Sequence, residues 1–316
     1  MARSPDNGAK VLSDSSRLAV ANICVTIFLS LKNNPLGWLT GWTYERLNVF
    51  HRIVGYLALA MTTIHGATYA AYFLYEGNAA RLRVVDEIYG MVAGGAMLIL
   101  VSVAVVLPRR YYEAFYILHI SFFVVAIVFI GRHQPETSKN IVFATVAGAG
   151  IWVLDRMVRG IRVLVYSYSN TATLYPLPDG GTRIVLRKPP ISPKPGQHCF
   201  VWIPRIRAIE MHPFTIVSLD PLEFVLSSNA GFTRDVHDYA VKYPGARLRA
   251  SIDGPYGNCV NPMTYDTVVM IAGGSGASYP LSLALDMERR AGADARQRIV
   301  FVWIVRDQGT APACCV

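Results

Sequence analysis

Charge is in short supply in this chain. Only 16% of its 316 residues are Asp, Glu, Lys or Arg, against the usual quarter or so. Hydrophobic residues reach 53% and the mean hydropathy is positive. That balance excludes a purely water-soluble globule and points to a membrane protein with a soluble part attached. Basic clusters interleaved with aromatics are missing too. The net charge of +9 therefore argues for positive loops on the cytoplasmic side of a membrane, and not for a nucleic-acid partner. The five cysteines (Cys24, Cys199, Cys259, Cys314 and Cys315) form no CxxC pair and no regular spacing, which excludes a disulfide framework or a zinc site. No signal peptide with a cleavage site is visible, although the polar first sixteen residues could be the remnant of a longer N-terminus. Internal repeats and low-complexity tracts are absent as well.

Hydropathy divides the chain near residue 158. Five apolar segments precede that point, roughly Leu18–Leu31, Ile53–Tyr75, Ile88–Leu107, Ala114–Gly131 and Ile141–Leu154. A membrane-spanning helix needs about 20 apolar residues. The middle three segments reach that length, while the first and last need flanking residues such as Asn22, Thr26 or Trp152. Five crossings are expected. The exit DRMVRGIR (155–162) is arginine-rich, as cytoplasmic ends are. That places Arg109, Arg110 and YERLNVFHR (44–52) on the same side, and Arg81, Arg83, Arg132 and Lys139 on the other.

Beyond residue 160 the texture changes. TRIVLRK (182–188), QHCFVWI (197–203) and LEFVLSS (222–228) alternate with period two, which predicts short antiparallel strands of a small barrel or sandwich. TVVMIAGGSGASYPLSLALDMERR (267–290) reads as an apolar strand, a glycine turn and a helix. RIVFVWIVRD (298–307) reads as a second buried strand. This is one βαβ unit of an open α/β domain. One unit is too little for a complete doubly wound sheet, so an incomplete last domain is expected.

Histidine is scarce, and its placement is regular. Four of the seven histidines are His51, His65, His119 and His133, two couples each separated by the same fourteen positions and each bounding an apolar segment. Fourteen helical residues rise about 21 Å and rotate through four turns less about 40°, so each couple shares one helix face. One crossing lies between the two helices, so they run parallel. His51 then sits at the depth of His119, and His65 at the depth of His133. Two facing imidazoles at one depth can be the axial ligands of a haem iron, and two depths make two haems. Other readings stay open. A lone intramembrane histidine can bond a neighbouring carbonyl. A proton relay uses similar positions, but relays usually include carboxylates, and neither segment contains one. On the orientation above, His51 and His119 form the inner pair and His65 and His133 the outer pair. Arg46 and Arg52 lie near the inner level, as partners of haem propionates or simply as positive-inside residues.

The soluble half carries short motifs. PGQH (195–198) and HPFT (212–215) are followed by GFT (231–233) before an expected helix, TRDVHDYAV. A glycine and a hydroxyl there would leave backbone N–H groups and a positive dipole end beside a phosphate. DGPYG (253–257) is a turn. GGSG (273–276) falls where a strand ends and a helix begins, the place for a dinucleotide pyrophosphate. Singly, HPFT reads equally as a β-bulge and GGSG as a plain tight turn. Their order carries the weight.

With these motifs in this order behind a helical part holding paired histidines, the sequence resembles the fungal ferric reductases, within the wider ferric reductase and NADPH oxidase superfamily. The resemblance spans roughly residues 17 to 307. It rests on LKNNPLGWLTGWTYERLNVFHRIVGY, the two histidine-bounded segments, PGQHCFVWIP, HPFTIVS, GFTRDV, DGPYG, MIAGGSGA and VFVWIVRD. It implies a polar tail over 1–16 and an α-helical transmembrane bis-haem bundle over 17–158. An antiparallel β-barrel FAD-binding domain of ferredoxin reductase type would follow over 159–262, and a partial α/β NADP-binding domain over 263–316. It further implies two b-type haems with His51, His119, His65 and His133 as axial ligands. The isoalloxazine of FAD would lie against His212, Pro213, Phe214 and Thr215, and its pyrophosphate near Gly231, Phe232 and Thr233. NADPH would lie on Gly273, Gly274, Ser275 and Gly276. The implied activity passes electrons from cytosolic NADPH through FAD and the haems to ferric or cupric chelates or siderophores outside a plasma membrane. It would support metal uptake, with an iron permease as a candidate partner and no catalytic acid or base. A superoxide-generating NADPH oxidase and an inactive haem-binding membrane subunit share the same motifs. The family continues well past WIVRD, whereas this chain ends in DQGTAPACCV, so a truncated C-terminus is expected.

Overall fold

The structure is a computed structural model describing residues 5–107, 111–133, 139–290 and 297–305. The arginines at 109 and 110, residues 134–138 and the stretch after 305 lie outside the described residues. The chain divides into two compact units, Met1–Arg156 and Met157–Val316.

The first unit is helical: α1 (Pro5–Leu29), α2 (Pro35–Thr40), α3 (Tyr44–Tyr75), α4 (Val85–Val106), α5 (Tyr112–Arg132) and α6 (Lys139–Ser167), which continues across the division. Among the described residues four helices, α3 to α6, are long and apolar enough to cross a membrane. The first of the five expected segments is helical as the end of α1, but a polar stretch, PDNGAKVLSDSSR, fills the start of that helix. Helix α1 lies along α3, and α4 along α5. Small buried residues, Ala58, Ala96 and Ala126, with Met97, line the contacts and let backbones approach closely. Apolar side chains such as Ile53, Val105 and Phe143 face outward. Threonines within the helices bond their own carbonyls four residues back: Thr26 to Asn22, Thr62 to Ala58 and Thr145 to Ile141. Polar groups are thereby satisfied without water.

The KNNPL stretch shows why it contains two asparagines. The Asn34 side chain caps α2 by accepting from Leu36 N at 2.9 Å. Asn33 donates from its backbone N and from Nδ2 to Asp155 Oδ1, at 3.0 and 2.9 Å. Asp155 on α6 thus fixes the α1–α2 turn.

The second unit begins with β1 (Thr171–Pro176), β2 (Gly181–Leu186), β3 (His198–Trp202), β4 (His212–Thr215), β5 (Ser218–Leu219) and β6 (Leu222–Ser227). Then come α7 (Phe232–Lys242), β7 (Arg247–Arg249), β8 (Ser251–Tyr256), β9 (Thr267–Gly273), α8 (Ser278–Arg290) and β10 (Arg298–Ile304). The three segments of period two became β2, β3 and β6, and each buries alternate residues. Among the described residues the antiparallel strands form two sheets, β5-β6-β2-β1-β7 and β4-β3-β8, and do not close into the expected barrel. The chain changes sheet between β7 and β8 at buried Ala250, a corner of the kind that joins packed sheets. Both sheets cover one core that includes Leu174, Ile184, Val201, Phe224 and Ile252, all 0% exposed. Burying each such side chain contributes about 1.5–3 kcal/mol. Helix α7 presents Phe232, Val236 and Ala240, one every fourth residue, to that core.

Strands β9 and β10 pair in parallel, Thr267 opposite Arg298 through Gly273 opposite Ile304. The βαβ unit is therefore present, but its strands are buried on one face only. Ile271 is 70% and Ile304 64% exposed. Helix α8 covers the other face through Leu283 and Met287, which pack with Met270. The apolar runs alone predicted burial on both faces, and a two-stranded sheet with one helix supplies only one.

Candidate functional site

The histidines meet in pairs. Helix α3 carries His51 and His65; α5 carries His119, and His133 caps its end. The ring centroids of His51 and His119 lie 6.4 Å apart, with ring planes inclined at 64°. Those of His65 and His133 lie 6.3 Å apart at 74°. The pairing at both levels is that of two parallel helices in register, as the equal spacing implies.

Each ring has its Nδ1 occupied. His51 Nδ1 lies 2.9 Å from Thr26 O, His119 Nδ1 3.4 Å from Leu100 O and His133 Nδ1 2.6 Å from Asp86 O. His65 Nδ1 lies 3.3 Å from Ser15 Oγ. A carbonyl can only accept, so in three rings Nδ1 carries a proton and donates, and Nε2 is the nitrogen left for a metal. Metal-ligating histidines are commonly held this way, with the second nitrogen bonded to an oxygen that sets tautomer and orientation. The spacing also fits. Two imidazoles bound to one metal at about 2.0–2.1 Å, each ring centre about 1.1 Å behind its nitrogen, have centroids about 6.3 Å apart. The donor set and its separation suit one six-coordinate haem iron per level.

Sequence reading missed Gly90 on α4. A Cβ there would lie 2.7, 2.8 and 2.9 Å from Cε1, Nδ1 and Nε2 of His133. The contact joins residues far apart in the chain, and no motif announces it. Aromatic neighbours complete the surroundings: Tyr69 lies 4.7 Å from His65 and Phe115 5.3 Å from His119, centroid to centroid.

In the second unit HPFT forms β4, an edge strand paired with β3, Val201 opposite His212 and His198 opposite Thr215. The structure brings the HPFT and GFT motifs together. The His212 ring stacks on Phe232 at 4.7 Å and 21°, and Phe214 approaches the same ring at 6.1 Å. Pro213 is exposed, and Phe214 and Thr215 are half-buried. Gly231, with φ +79°, precedes α7, and among the described residues no side chain caps that helix end. Thr233 Oγ1 accepts from Asn229 N at 2.9 Å and holds the preceding turn. The N-terminal N–H groups of α7 are thus presented beside the HPFT strand, an arrangement suited to a phosphate.

The PGQH loop ties this face to the rest of the unit. Gln197 O accepts from Ile216 N, Gln197 Nε2 donates to Gly257 O, and Gly196 N donates to Ser282 Oγ of α8. DGPYG contains a buried cluster. Asp253, with its side chain fully buried, accepts from Arg159 Nε at 2.7 Å, from Arg162 Nη1 at 3.1 Å and from the Tyr256 hydroxyl at 2.7 Å. Burial first, then the Asp253 charge, raises the Tyr256 hydroxyl well above its ordinary range. Burial, aided by Asp253 and opposed by Arg162, pushes the Cys199 thiol up to about 12.

GGSG lies where expected, between β9 and α8. Gly274 has φ +50°, and an added Cβ at Gly273, Gly274 or Gly276 would meet nothing within 4 Å. Trp303 Nε1 donates to Gly274 O at 2.9 Å and pins the turn. Ser275 shares that turn.

Comparison with known proteins follows the same order along the chain. Residues 15–130 match the ferric reductase like transmembrane component, 167–260 an FAD-binding domain and 265–314 the ferric reductase NAD binding domain. Over 95% of its length the chain is 31% identical to ferric reductase transmembrane component 4 of Saccharomyces cerevisiae, covering 43% of that protein. It is 28% identical to the ferric/cupric reductase transmembrane component 2 of the same yeast, over 94% of this chain and 43% of that one. A probable cell surface ferric reductase of Aspergillus oryzae is 30% identical over 90% of the chain and 42% of its own length. The chain therefore spans less than half the length of these relatives.

Proposed function

Because the chain belongs to the fungal ferric reductase family, we propose that it takes electrons from NADPH and passes them by way of FAD and two haems across a plasma membrane to ferric or cupric chelates outside. The observation that carries this reading is the double histidine pair, spaced 6.4 and 6.3 Å between centroids. His51 and His119 hold one haem, and His65 and His133 the other. A haem iron held by two imidazoles would supply single-electron chemistry that needs no protein acid or base. The chain's own task is to hold: Thr26, Leu100 and Asp86 carbonyls accept from Nδ1 on three of the rings and fix their orientation, which leaves Nε2 as the nitrogen available to a metal.

The helical bundle is assigned to 17–158, the flavin domain to 159–262 and the nicotinamide domain to 263–316. Within the flavin domain His212, Pro213, Phe214 and Thr215 face the isoalloxazine, and Gly231, Phe232 and Thr233 the pyrophosphate. Held there, FAD would supply the conversion of a two-electron hydride into single electrons. Gly273, Gly274, Ser275 and Gly276 receive the NADPH pyrophosphate. The arginine-rich residues 155–162 support a flavin side in the cytosol.

The test uses membranes holding the chain, supplied with NADPH and a ferric chelate, with a ferrous-specific chelator as reporter. Colour that requires both histidine pairs is the expected result. Superoxide release without ferrous product would identify an oxidase instead, and haems that NADPH does not reduce would overturn the electron-carrier reading.

A further inference from the structure

We infer that Gly90 is a positioning residue for the His65/His133 level: its missing side chain forms the slot in which the His133 ring is held at ligating distance. The inference rests on the paired-histidine reading above and adds to it a residue that is not itself a ligand. Three atoms of the His133 ring occupy the space of a Cβ at position 90, the nearest at 2.7 Å. The same ring reaches Asp86 O at 2.6 Å. Asp86 lies one turn before Gly90 on α4, so the ring lies flat over the glycine to reach the carbonyl one turn earlier. His65 is the ring's partner at this level, 6.3 Å away between centroids.

The ring cannot give way without cost to ligation. Ordinary contact begins at 3.4 Å, so an alanine methyl would displace the ring by about 0.7 Å from its nearest approach of 2.7 Å. Metal–ligand distances tolerate about 0.2 Å. Movement away from α4 carries Nε2 with it and strains the bond to Asp86, and rotation breaks that bond and re-aims Nε2. Gly95 on the same helix has nothing within 4 Å of its Cβ position, and Gly94 only a methyl of Thr62 at 4.0 Å. The requirement is thus specific to one glycine of the helix and to one level of the bundle.

The experiment compares the purified chain with its Gly90→Ala, Gly95→Ala and His133→Ala variants. Haem per chain is counted by pyridine haemochrome, and midpoint potentials and low-spin g values are recorded. The expected result is two haems in the native chain and in Gly95→Ala. In Gly90→Ala the His65/His133 haem is absent, as in His133→Ala, or retained with shifted potential and g values. The other haem keeps its native potential and reports that the bundle is folded. Two haems with native values in Gly90→Ala would overturn the inference, as would loss of both haems or equal loss in Gly95→Ala. A native chain with no haem would instead refute the paired-histidine reading on which the inference stands.

Discussion

Replacing Asp253 by Ala should be among the most damaging single changes in the second unit. The carboxylate has a fully buried side chain and accepts from two guanidinium groups and one hydroxyl, at 2.7, 3.1 and 2.7 Å. The side chains of Arg159 and Arg162 are only 17% and 24% exposed. Losing the carboxylate removes the buried negative charge shared by two cations that water reaches incompletely. Breaking a buried pair from one side costs about 3–5 kcal/mol. At about 2–4 °C per kcal/mol for a unit of this size, the unit should melt roughly 6–20 °C earlier. Tyr256→Phe removes the hydroxyl's two bonds, to Asp253 and from Arg162, and should cost about 1–3 kcal/mol. Asp286→Ala, which breaks a single pair between a 13% exposed carboxylate and the 52% exposed Arg290 one helical turn away, should cost less, within about 1 kcal/mol. Thermal unfolding of the full chain in detergent, followed by flavin release, gives the order. An Asp253→Ala midpoint within 2 °C or so of the native value, or no larger than that of Asp286→Ala, would refute the reasoning.

Other consequences are simpler to check. His65→Ala should remove one of two haems and abolish reduction of the external acceptor, while FAD is still retained; unchanged haem content would count against the pairing. Phe224, 0% exposed at the centre of the core, should cost about 3–5 kcal/mol on truncation to Ala, measured as an earlier denaturation midpoint. The Cys199 thiol is held at about 12 against an ordinary 9.0. The folded state thus keeps a proton that the unfolded chain releases. Its contribution is intact below pH 9 and is lost as the pH rises towards 12. Cys199 should accordingly resist alkylation at pH 8 until the unit unfolds, and rapid labelling of the native chain would contradict its burial.

Several of these features were legible in the chain itself and others were not. The histidine pairs were visible because helix geometry converts a spacing of fourteen into one face, and nothing else in the fold need be known. Strands β2, β3 and β6 were visible because each has one face on the core and one in solvent, which writes period two into the sequence. Strand β7 is three residues long, and β8 contains Gly254 and Pro255, which read as a turn. Sheet closure depends on which strands meet, and alternation is silent on that. Gly90 and the Asp253 cluster were hidden for another reason. The contact of Gly90 with His133 and that of Asp253 with Arg159 join residues distant in sequence, and one glycine or one aspartate in isolation has no special pattern.

The central claim is that each pair of imidazoles holds one haem iron between parallel helices. Electron paramagnetic resonance of the oxidised, purified full chain, combined with a haem count, tests it most directly. Two haems per chain, both low-spin with two histidine ligands, are predicted. A chain with fewer than two haems, or with a high-spin five-coordinate signal at either level, would contradict it.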